Sequence, residues 1–269
     1  MKAIILAAGR GSRLHPYTEN CPKCLTSLGG MTMIERQIAT LKEAGVRDII
    51  IVTGYRGEML ALEGTRQVHN PDWASTNMVE SLFCAVGDFG NDIIVSYGDI
   101  VYEPRVLSAL LSAPHDISVV VDRQWRLYWE TRFENPLSDA ESLRIDDEGC
   151  ITDIGNEVAD INNIQAQYIG LLRFRSTGIA AMGAARENLD RLTRPWMSHR
   201  SPANAFMTDL LTEIILNGDK VHAVPVDGGW LEIDTVEDFE KIAAMIEDGR
   251  IRQFFDPASI SAAVLRVGN

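Results

Sequence analysis

The sequence begins with Lys2-Ala3-Ile4-Ile5-Leu6-Ala7-Ala8-Gly9-Arg10-Gly11-Ser12-Arg13-Leu14, and Pro22-Lys23 follows a short way downstream. An apolar run of strand length leads directly into small residues and glycines. Glycine permits a sharp turn that brings backbone N–H groups against an anion. Arg13 and Lys23 add the positive charge that a polyphosphate needs. The stretch predicts a phosphate-binding loop after the first strand, although a lone Gly-x-Gly is also typical of a tight surface turn.

The segments that follow alternate between helical and strand patterns, which is typical of an α/β domain. Apolar residues at helical spacing predict a helix, and continuous β-branched runs predict buried strands. The helices are expected at 33–44, 178–192 and 207–217, the strands at 48–55, 92–100, 116–121 and 167–174, and a β-hairpin at 143–154. The expected fold is a Rossmann-like mixed sheet, mainly parallel and flanked by helices, with a small lid or acceptor-binding insertion.

Composition limits the functional classes. The chain has 269 residues, 46% of them hydrophobic, which is enough for one large domain. Its formal net charge of -13 argues against a nucleic-acid partner. With no membrane-span or signal-peptide pattern, we expect a cytoplasmic protein that does not bind membranes. Cys21 and Cys24 form a Cys-x-x-Cys without a second pair at metal spacing, so we interpret them as reduced thiols.

Acidic residues follow two predicted strands. Asp99 ends one of them, and the carboxyl ends of strands are where α/β sheets bind ligands. Glu232 and Asp234 are expected on one face of a second strand, where they would repel unless a cation lies between them. A divalent metal shared with Asp99 would supply that cation. The alternatives are a turn aspartate and an acidic edge that faces solvent.

Segment 122–132 holds an unusual concentration of aromatic and basic residues. One interpretation is a lid whose tryptophans pack on the main domain and whose arginines are solvated. The other is an acceptor pocket, in which aromatic rings bind an organic cation and arginines bind a phosphate or phosphonate. The candidates in this segment are Arg123, Trp125, Arg126, Tyr128, Trp129 and Arg132.

The N-terminal pattern Leu-Ala-Ala-Gly-x-Gly-x-Arg-Leu, followed by Pro-Lys, resembles the signature of the nucleotidyltransferases that make sugar nucleotides and related activated compounds. The resemblance implies that Arg13, Lys23, Asp99 and Asp234 are catalytic, and that Mg²⁺ is held by Asp99, Glu232 and Asp234. It implies nucleotide contacts at Leu6, Ala7, Ala8, Gly9, Gly11, Arg13, Gly98, Thr76, Asn77 and Ser81. For the last three, the capping of a helix is the alternative role.

Further motifs resemble the branch that uses CTP, which includes phosphocholine and phosphonate cytidylyltransferases. They are Tyr97-Gly98-Asp99, Asn135-Pro136-Leu137, Gln167-Tyr168-Ile169-Gly170-Leu171 and Gly229-Trp230-Leu231-Glu232-Ile233-Asp234-Thr235. The implied reaction joins CMP from CTP to a small phosphonate or phosphorylated metabolite and releases pyrophosphate, with Tyr168 among the acceptor contacts. Phosphocholine, a sugar 1-phosphate with UTP or dTTP, and a non-catalytic regulatory homologue remain alternatives.

The resemblance covers roughly residues 1–247, which we interpret as the nucleotidyltransferase domain, with the insertion at about 122–166. Residues 248–269 are expected to form a helical tail that could serve a homodimer contact.

Overall fold

The computed structural model describes residues 1–191 and 201–260. The strands are β1 (Lys2–Ala7), β2 (Ser27–Leu28), β3 (Met31–Thr32), β4 (Asp48–Thr53), β5 (Arg66–His69), β6 (Asp92–Tyr97), β7 (Ile100–Tyr102), β8 (Ile117–Asp122), β9 (Leu143–Ile145), β10 (Ile151–Ile154), β11 (Gln167–Arg175), β12 (His222–Val226) and β13 (Trp230–Glu232). The helices are α1 (Met33–Glu43), α2 (Met78–Cys84), α3 (Pro104–Ser112), α4 (Trp125–Arg132), α5 (Thr177–Arg191), α6 (Met207–Leu216) and α7 (Val236–Glu247).

Seven of these strands form the central sheet, in the order β12-β8-β11-β6-β1-β4-β5. Neighbouring strands are parallel except at β11, which runs antiparallel to both β6 and β8. Helices flank the sheet, and apolar cores lie on both of its faces. The Rossmann-like, mainly parallel α/β fold predicted from the sequence is confirmed.

Local sequence explains most of these elements. The inner strands are mostly aliphatic, with β-branched runs in β4 and β6, and are buried on both sides, as a parallel sheet covered by helices requires. Helix α1 begins at a capping box in which Thr32 and Glu35 satisfy each other's backbone N–H groups. Strands β9 and β10 pair antiparallel, so the predicted hairpin is also confirmed.

Other segments differ from the sequence-based expectations. The predicted strand 92–100 is interrupted at Gly98-Asp99, where the chain leaves β6 and enters the separate two-stranded sheet of β7 and β13. Within segment 122–132, for which no secondary structure was predicted, residues Trp125–Arg132 form helix α4. The tail begins with short 3-10 turns at Arg250–Gln253 and Pro257–Ser259, and residues 261–269 lie outside the described residues. Residue 192, the predicted end of a helix, also lies outside them.

No helix in the part of the chain that the structure describes is long and apolar enough to cross a membrane.

Candidate active site

The glycine loop follows β1 at the carboxyl edge of the sheet. Gly11 adopts a left-handed conformation with φ 67°, which glycine accepts without steric cost. The hydroxyl of the buried Thr18 donates a 2.8 Å hydrogen bond to the Gly11 carbonyl. A Cβ atom at position 11 would lie 2.7 Å from Cβ of Lys23. The absence of a side chain therefore lets the Lys23 stem pack against the loop.

Asp99 lies in the turn between β6 and β7. The fully buried side chain of Gln37, from α1, donates hydrogen bonds to the carbonyls of Tyr97 and Ile100 at 2.9 and 2.7 Å. Ser96 in turn donates to the Gln37 amide oxygen at 2.8 Å. Because both sides of the turn are held by one buried amide, the position of Asp99 is fixed by the core.

Asp234 is brought beside Asp99 by the small sheet. Strand β13 pairs with β7 so that Glu232 lies opposite Ile100, and the N–H of Ile233 donates to the Asp99 carbonyl at 3.1 Å. The strand ends at Glu232, before Asp234, so these two carboxylates do not share a continuous strand as the sequence predicted.

The cap of α7 holds the backbone of this segment. A carboxylate oxygen of Asp238 accepts from the N–H groups of Asp234 and Thr235 at 3.2 and 3.0 Å.

The ammonium of Lys23 lies between the two aspartates. Its Nζ is 2.6 Å from Asp99 Oδ2 and 2.6 Å from Asp234 Oδ1. Arg13 forms an ion pair with the other oxygen of Asp234. Burial by itself lowers the pKa of Lys23, but the charges of Asp99 and Asp234 outweigh burial and leave that pKa above its ordinary value. These carboxylates therefore favour the charged form of Lys23 at the end of the phosphate loop.

Glu232 has a different partner. Its carboxylate accepts from Arg132 at 2.7 Å, and Arg132 also binds Asp238 through two nitrogens at 3.1 and 3.3 Å. Burial raises the pKa of Glu232, and Asp99 and Asp234 add to the rise while Arg132 opposes it.

Lys23 thus bridges Asp99 and Asp234, whereas Glu232 is paired with Arg132. Among the residues described, no group of three or more His, Cys, Asp or Glu side chains is arranged to hold a metal ion.

A cavity of about 310 Å³ lies over the glycine loop. Its lining includes the predicted nucleotide and catalytic residues Leu6, Ala7, Gly9, Gly11, Arg13, Lys23, Asn77, Gly98, Asp99 and Asp234. A side pocket of about 160 Å³ is lined by Ala8, Thr76, Asn77 and Ser81 together with Trp73. The structure therefore gathers the predicted nucleotide residues along one connected surface.

Three of the side-pocket residues also have structural partners. Asn77 caps α2 by accepting from the Met78 N–H at 2.8 Å. The amide of Asn70, which is buried, donates to the hydroxyls of Thr76 and Ser81, each at 3.0 Å. Capping and ligand contact are compatible here, because these side chains still line the pocket.

A second cavity, of about 440 Å³, adjoins the first and shares Arg13, Asn77 and Asp234 with it. Two of the predicted acceptor residues, Trp129 and Tyr168, line it. Strand β11 carries an irregularity between Tyr168 and Leu172, and Gly170 there has φ 80°. A Cβ atom on Gly170 would lie 2.6 Å from the ring of Tyr97, so glycine is required for this wall of the cavity.

The other predicted acceptor residues are placed elsewhere. Arg123 binds Asp227 and Arg126 binds Glu130, in both cases on the exposed surface. Trp125 is buried against Trp129. Arg132 is also buried and already paired. Of the predicted arginines and aromatic residues of segment 122–132, Trp129 alone lines the cavity. The others are used for packing and for ion pairs.

Sequence reasoning missed the carboxylates of this cavity. Asp139 and Glu141 line it beside Glu232. The indole N–H of Trp129 donates to Asp139 at 3.1 Å, which holds that carboxylate at the wall. Burial raises the pKa of Asp139. Neither residue belongs to a periodic segment or a strand end, so no local pattern singled them out.

A phosphate loop, a buried lysine between two aspartates and an adjoining second cavity, at the carboxyl edge of this sheet, define a nucleotidyltransferase. The family model for the MobA-like NTP transferase domain matches residues 3–259. The chain belongs to that family.

Several similar proteins are named as cytidylyltransferases. The chain is 38% identical over 252 residues to CTP:phosphoglutamine cytidylyltransferase of Campylobacter jejuni, covering 89% of this chain and 98% of that protein. It is 32% identical over 161 residues to CMP-5'-(3-aminopropyl)phosphonate synthase of Streptomyces rubellomurinus, covering 57% of this chain and 24% of that one. The solved CTP:phosphocholine cytidylyltransferase of Streptococcus pneumoniae superposes with a TM-score of 0.65 at 23% identity, over 91% and 98% of the two chains, and supports the fold.

Proposed function

We propose that the protein transfers CMP from CTP to a small phosphorylated or phosphonate acceptor that carries a cationic amine, and releases pyrophosphate. The observation that carries the proposal is the Lys23 ammonium, held between Asp99 and Asp234 where the phosphate loop meets the second cavity. Relatives named for phosphoglutamine and aminopropylphosphonate support the choice of CTP and of this acceptor class.

In this reaction an acceptor oxygen forms a bond to the α-phosphorus of CTP, and the bond from that phosphorus to the bridging oxygen of pyrophosphate breaks. Such transfers depend mainly on positioning and on the neutralisation of charge. Lys23 would stabilise negative charge on the α-phosphate and the bridging oxygen, and Arg13 would hold the departing pyrophosphate. A phosphate acceptor is already anionic at neutral pH, so no general base is required.

We further propose Mg²⁺ as the cofactor. Asp99 and Asp234 fit it, because their oxygens converge on a single cation position. Mg²⁺ usually takes one or two carboxylates and completes its coordination with substrate phosphates and water. Glu232, the third ligand that the resemblance implies, is bound to Arg132 and is not needed for that coordination. The metal would neutralise charge on the triphosphate when it binds.

The charge of the second cavity favours a cationic acceptor. Asp139, Glu141, Glu232 and Asp234 line it, whereas Arg13 is the only basic side chain among the described lining residues. A phosphate group could approach Arg13 and Lys23 while an ammonium group met the carboxylates. Phosphoglutamine, phosphocholine and aminoalkylphosphonates each carry such a nitrogen cation, whereas a simple sugar 1-phosphate does not.

Pyrophosphate release tests the proposal. The purified protein with Mg²⁺ is offered CTP, UTP, ATP, GTP and dTTP against phosphoglutamine, phosphocholine, aminoethylphosphonate and glucose 1-phosphate. A matched control is the neutral analogue of phosphocholine in which carbon replaces the nitrogen. We expect release with CTP and a cationic acceptor. We expect kcat/KM to be at least about tenfold lower for the neutral analogue, since losing a close charge–charge contact in a partly desolvated site costs about 1.4 kcal/mol or more.

Two results would contradict it. Release with UTP or dTTP and the sugar phosphate would mean that the family is right and the substrate wrong. Tight nucleotide binding without release from any combination would favour a non-catalytic homologue.

A further inference from the structure

We propose that Lys23 is an internal counter-ion that keeps divalent metal away from Asp99 and Asp234 until the nucleotide triphosphate arrives. The inference rests on the proposed function, because it takes these two aspartates as the metal ligands. It adds a property of the free protein: the metal affinity of this site depends on the nucleotide.

The contacts already balance charge at the two aspartates. Both oxygens of Asp234 are engaged, one by Lys23 and one by Arg13, and Asp99 meets the same ammonium at 2.6 Å. Two carboxylates therefore face two cations. A divalent ion could reach its ligands only by displacing the Lys23 ammonium, whose side chain is 10% exposed. Like charges this close repel strongly in a partly desolvated site.

The shape of the loop explains how the triphosphate could release Lys23. Lys23 opens a short 3-10 turn after Pro22, and its stem packs on Gly11 of the phosphate loop. Its ammonium lies at the end of a flexible four-carbon chain with freely rotating donors. The cavity over the loop is lined by Lys23 itself. Phosphates bound there offer the ammonium a new anionic partner and leave both carboxylates available.

The test measures metal binding to nucleotide-free protein, using Mn²⁺ as a paramagnetic substitute for Mg²⁺. Free Mn²⁺ is followed by electron paramagnetic resonance in titrations of the wild type, Lys23→Met, Lys23→Arg and Lys220→Met. Lys220 is the matched control, because its ammonium also lies 2.6 Å from a carboxylate, that of Glu148, but on the exposed surface.

We expect Lys23→Met to bind Mn²⁺ at least about tenfold more tightly than the wild type, because a buried positive charge has been removed from beside the ligands. Lys23→Arg and Lys220→Met should behave as the wild type. Mg²⁺ should also raise the melting temperature of Lys23→Met, by relieving repulsion between Asp99 and Asp234, and leave that of the wild type unchanged.

Equal affinity in the wild type and in folded Lys23→Met would overturn the inference. If Lys23→Met does not fold, the wild-type titration still tests the inference. Tight binding of Mn²⁺ to the nucleotide-free wild type, lost in Asp99→Asn, would also overturn it. That last result would leave the proposed metal ligands in place. Failure of the proposed function is recognised separately, by the absence of CTP-dependent pyrophosphate release from the wild type.

Discussion

Lys23 and Arg132 are both buried cations held between two carboxylates, yet their surroundings differ. The Lys23 ammonium borders the cavity over the phosphate loop, and its partners Asp99 and Asp234 also line that cavity. Arg132 is 3% exposed and binds Glu232 and the buried Asp238. Its guanidinium also lies over the rings of Tyr128, Trp129 and Phe133.

The difference separates a cation that can change partners from one that cannot. A lysine ammonium is a single charge on a flexible stem, whereas an arginine fork binds in a fixed plane. Tyr128 adds to the rigidity, because its hydroxyl donates to the Glu232 carbonyl at 2.9 Å and accepts from the Glu232 N–H at 3.1 Å. Arg132 and α4 therefore support β13, whereas we propose that Lys23 acts on the ligand.

The strongest test of this contrast is Arg132→Met. Removing the guanidinium leaves Asp238 buried without its ion pair, so we expect a loss of about 3–5 kcal/mol in the free energy of unfolding. Urea denaturation measures it. The control is Arg126→Met in the same helix, whose exposed pair with Glu130 should be worth less than about 1 kcal/mol. A stable Arg132→Met protein that had lost only turnover would place Arg132 with Lys23 instead.

Lys23→Ala should show the opposite behaviour. We expect kcat to fall by about 10²–10³, because charge stabilisation at the reacting phosphate is lost, while the circular dichroism spectrum is retained. Steady-state pyrophosphate release measures the effect, with Lys220→Ala as the control for the loss of a lysine charge. Asp234→Ala should lower turnover to a similar extent. Near-wild-type turnover of folded Lys23→Ala saturated with metal would refute the catalytic role.

Asp139→Asn tests whether the carboxylates of the second cavity, rather than the arginines of α4, bind the acceptor. The substitution keeps the size of a side chain that Trp129 holds at the cavity wall, but removes its negative charge. We expect KM for a cationic acceptor to rise about tenfold, as for loss of one charge-assisted contact, with KM for CTP unchanged. Arg126→Ala should change neither constant. The reverse pattern would return the acceptor site to the arginines of α4.

A smaller effect, on the pH dependence of stability, is expected at the amino ends of β8 and β12. There the rings of His115 and His222 stack with their centroids 3.5 Å apart. Burial lowers the pKa of His222, and His115 and Lys220 lower it further, against Asp146 and Glu148. The unfolded chain therefore binds more protons below about pH 6.5, and stability should fall as the pH falls through that range.

Urea midpoints at about pH 7.5 and 5.5 measure this slope, and His222→Gln should reduce it. An unchanged slope would show that the stacked pair does not contribute. Turnover at neutral pH should be the same in both proteins, since these rings lie away from both cavities of the site.

The sequence was informative where chemistry follows local rules. Gly11, Lys23 and Asp99 were predicted to lie together, and they line one cavity, because a loop after a first strand and a turn at a strand end have recognisable spacing. The carboxylates of the second cavity were not predicted, because tertiary contacts place them there: Asp139 is held by Trp129 of α4, and the backbone of Glu141 is held by Gln167 of β11. The sequence left two interpretations open for the arginines of segment 122–132, because most of the partners that decide between them are distant in sequence. Arg132 meets Asp238, more than a hundred residues away.

The smallest change is expected from replacing Cys21 and Cys24 with serine. The cysteines are free in the structure, and burial raises the pKa of Cys24 to about 12, so its thiol stays protonated. Cys21 donates only a surface hydrogen bond, to the Tyr17 carbonyl at 3.3 Å. If the cation at this loop is the ammonium of Lys23, turnover of the double variant should stay within about twofold of the wild type, because neither thiol is reactive or holds a metal. Pyrophosphate release together with metal analysis checks this. Lost activity accompanied by lost zinc would show that the thiols are metal ligands, and that a thiol-bound metal rather than Lys23 supplies the cation at this loop.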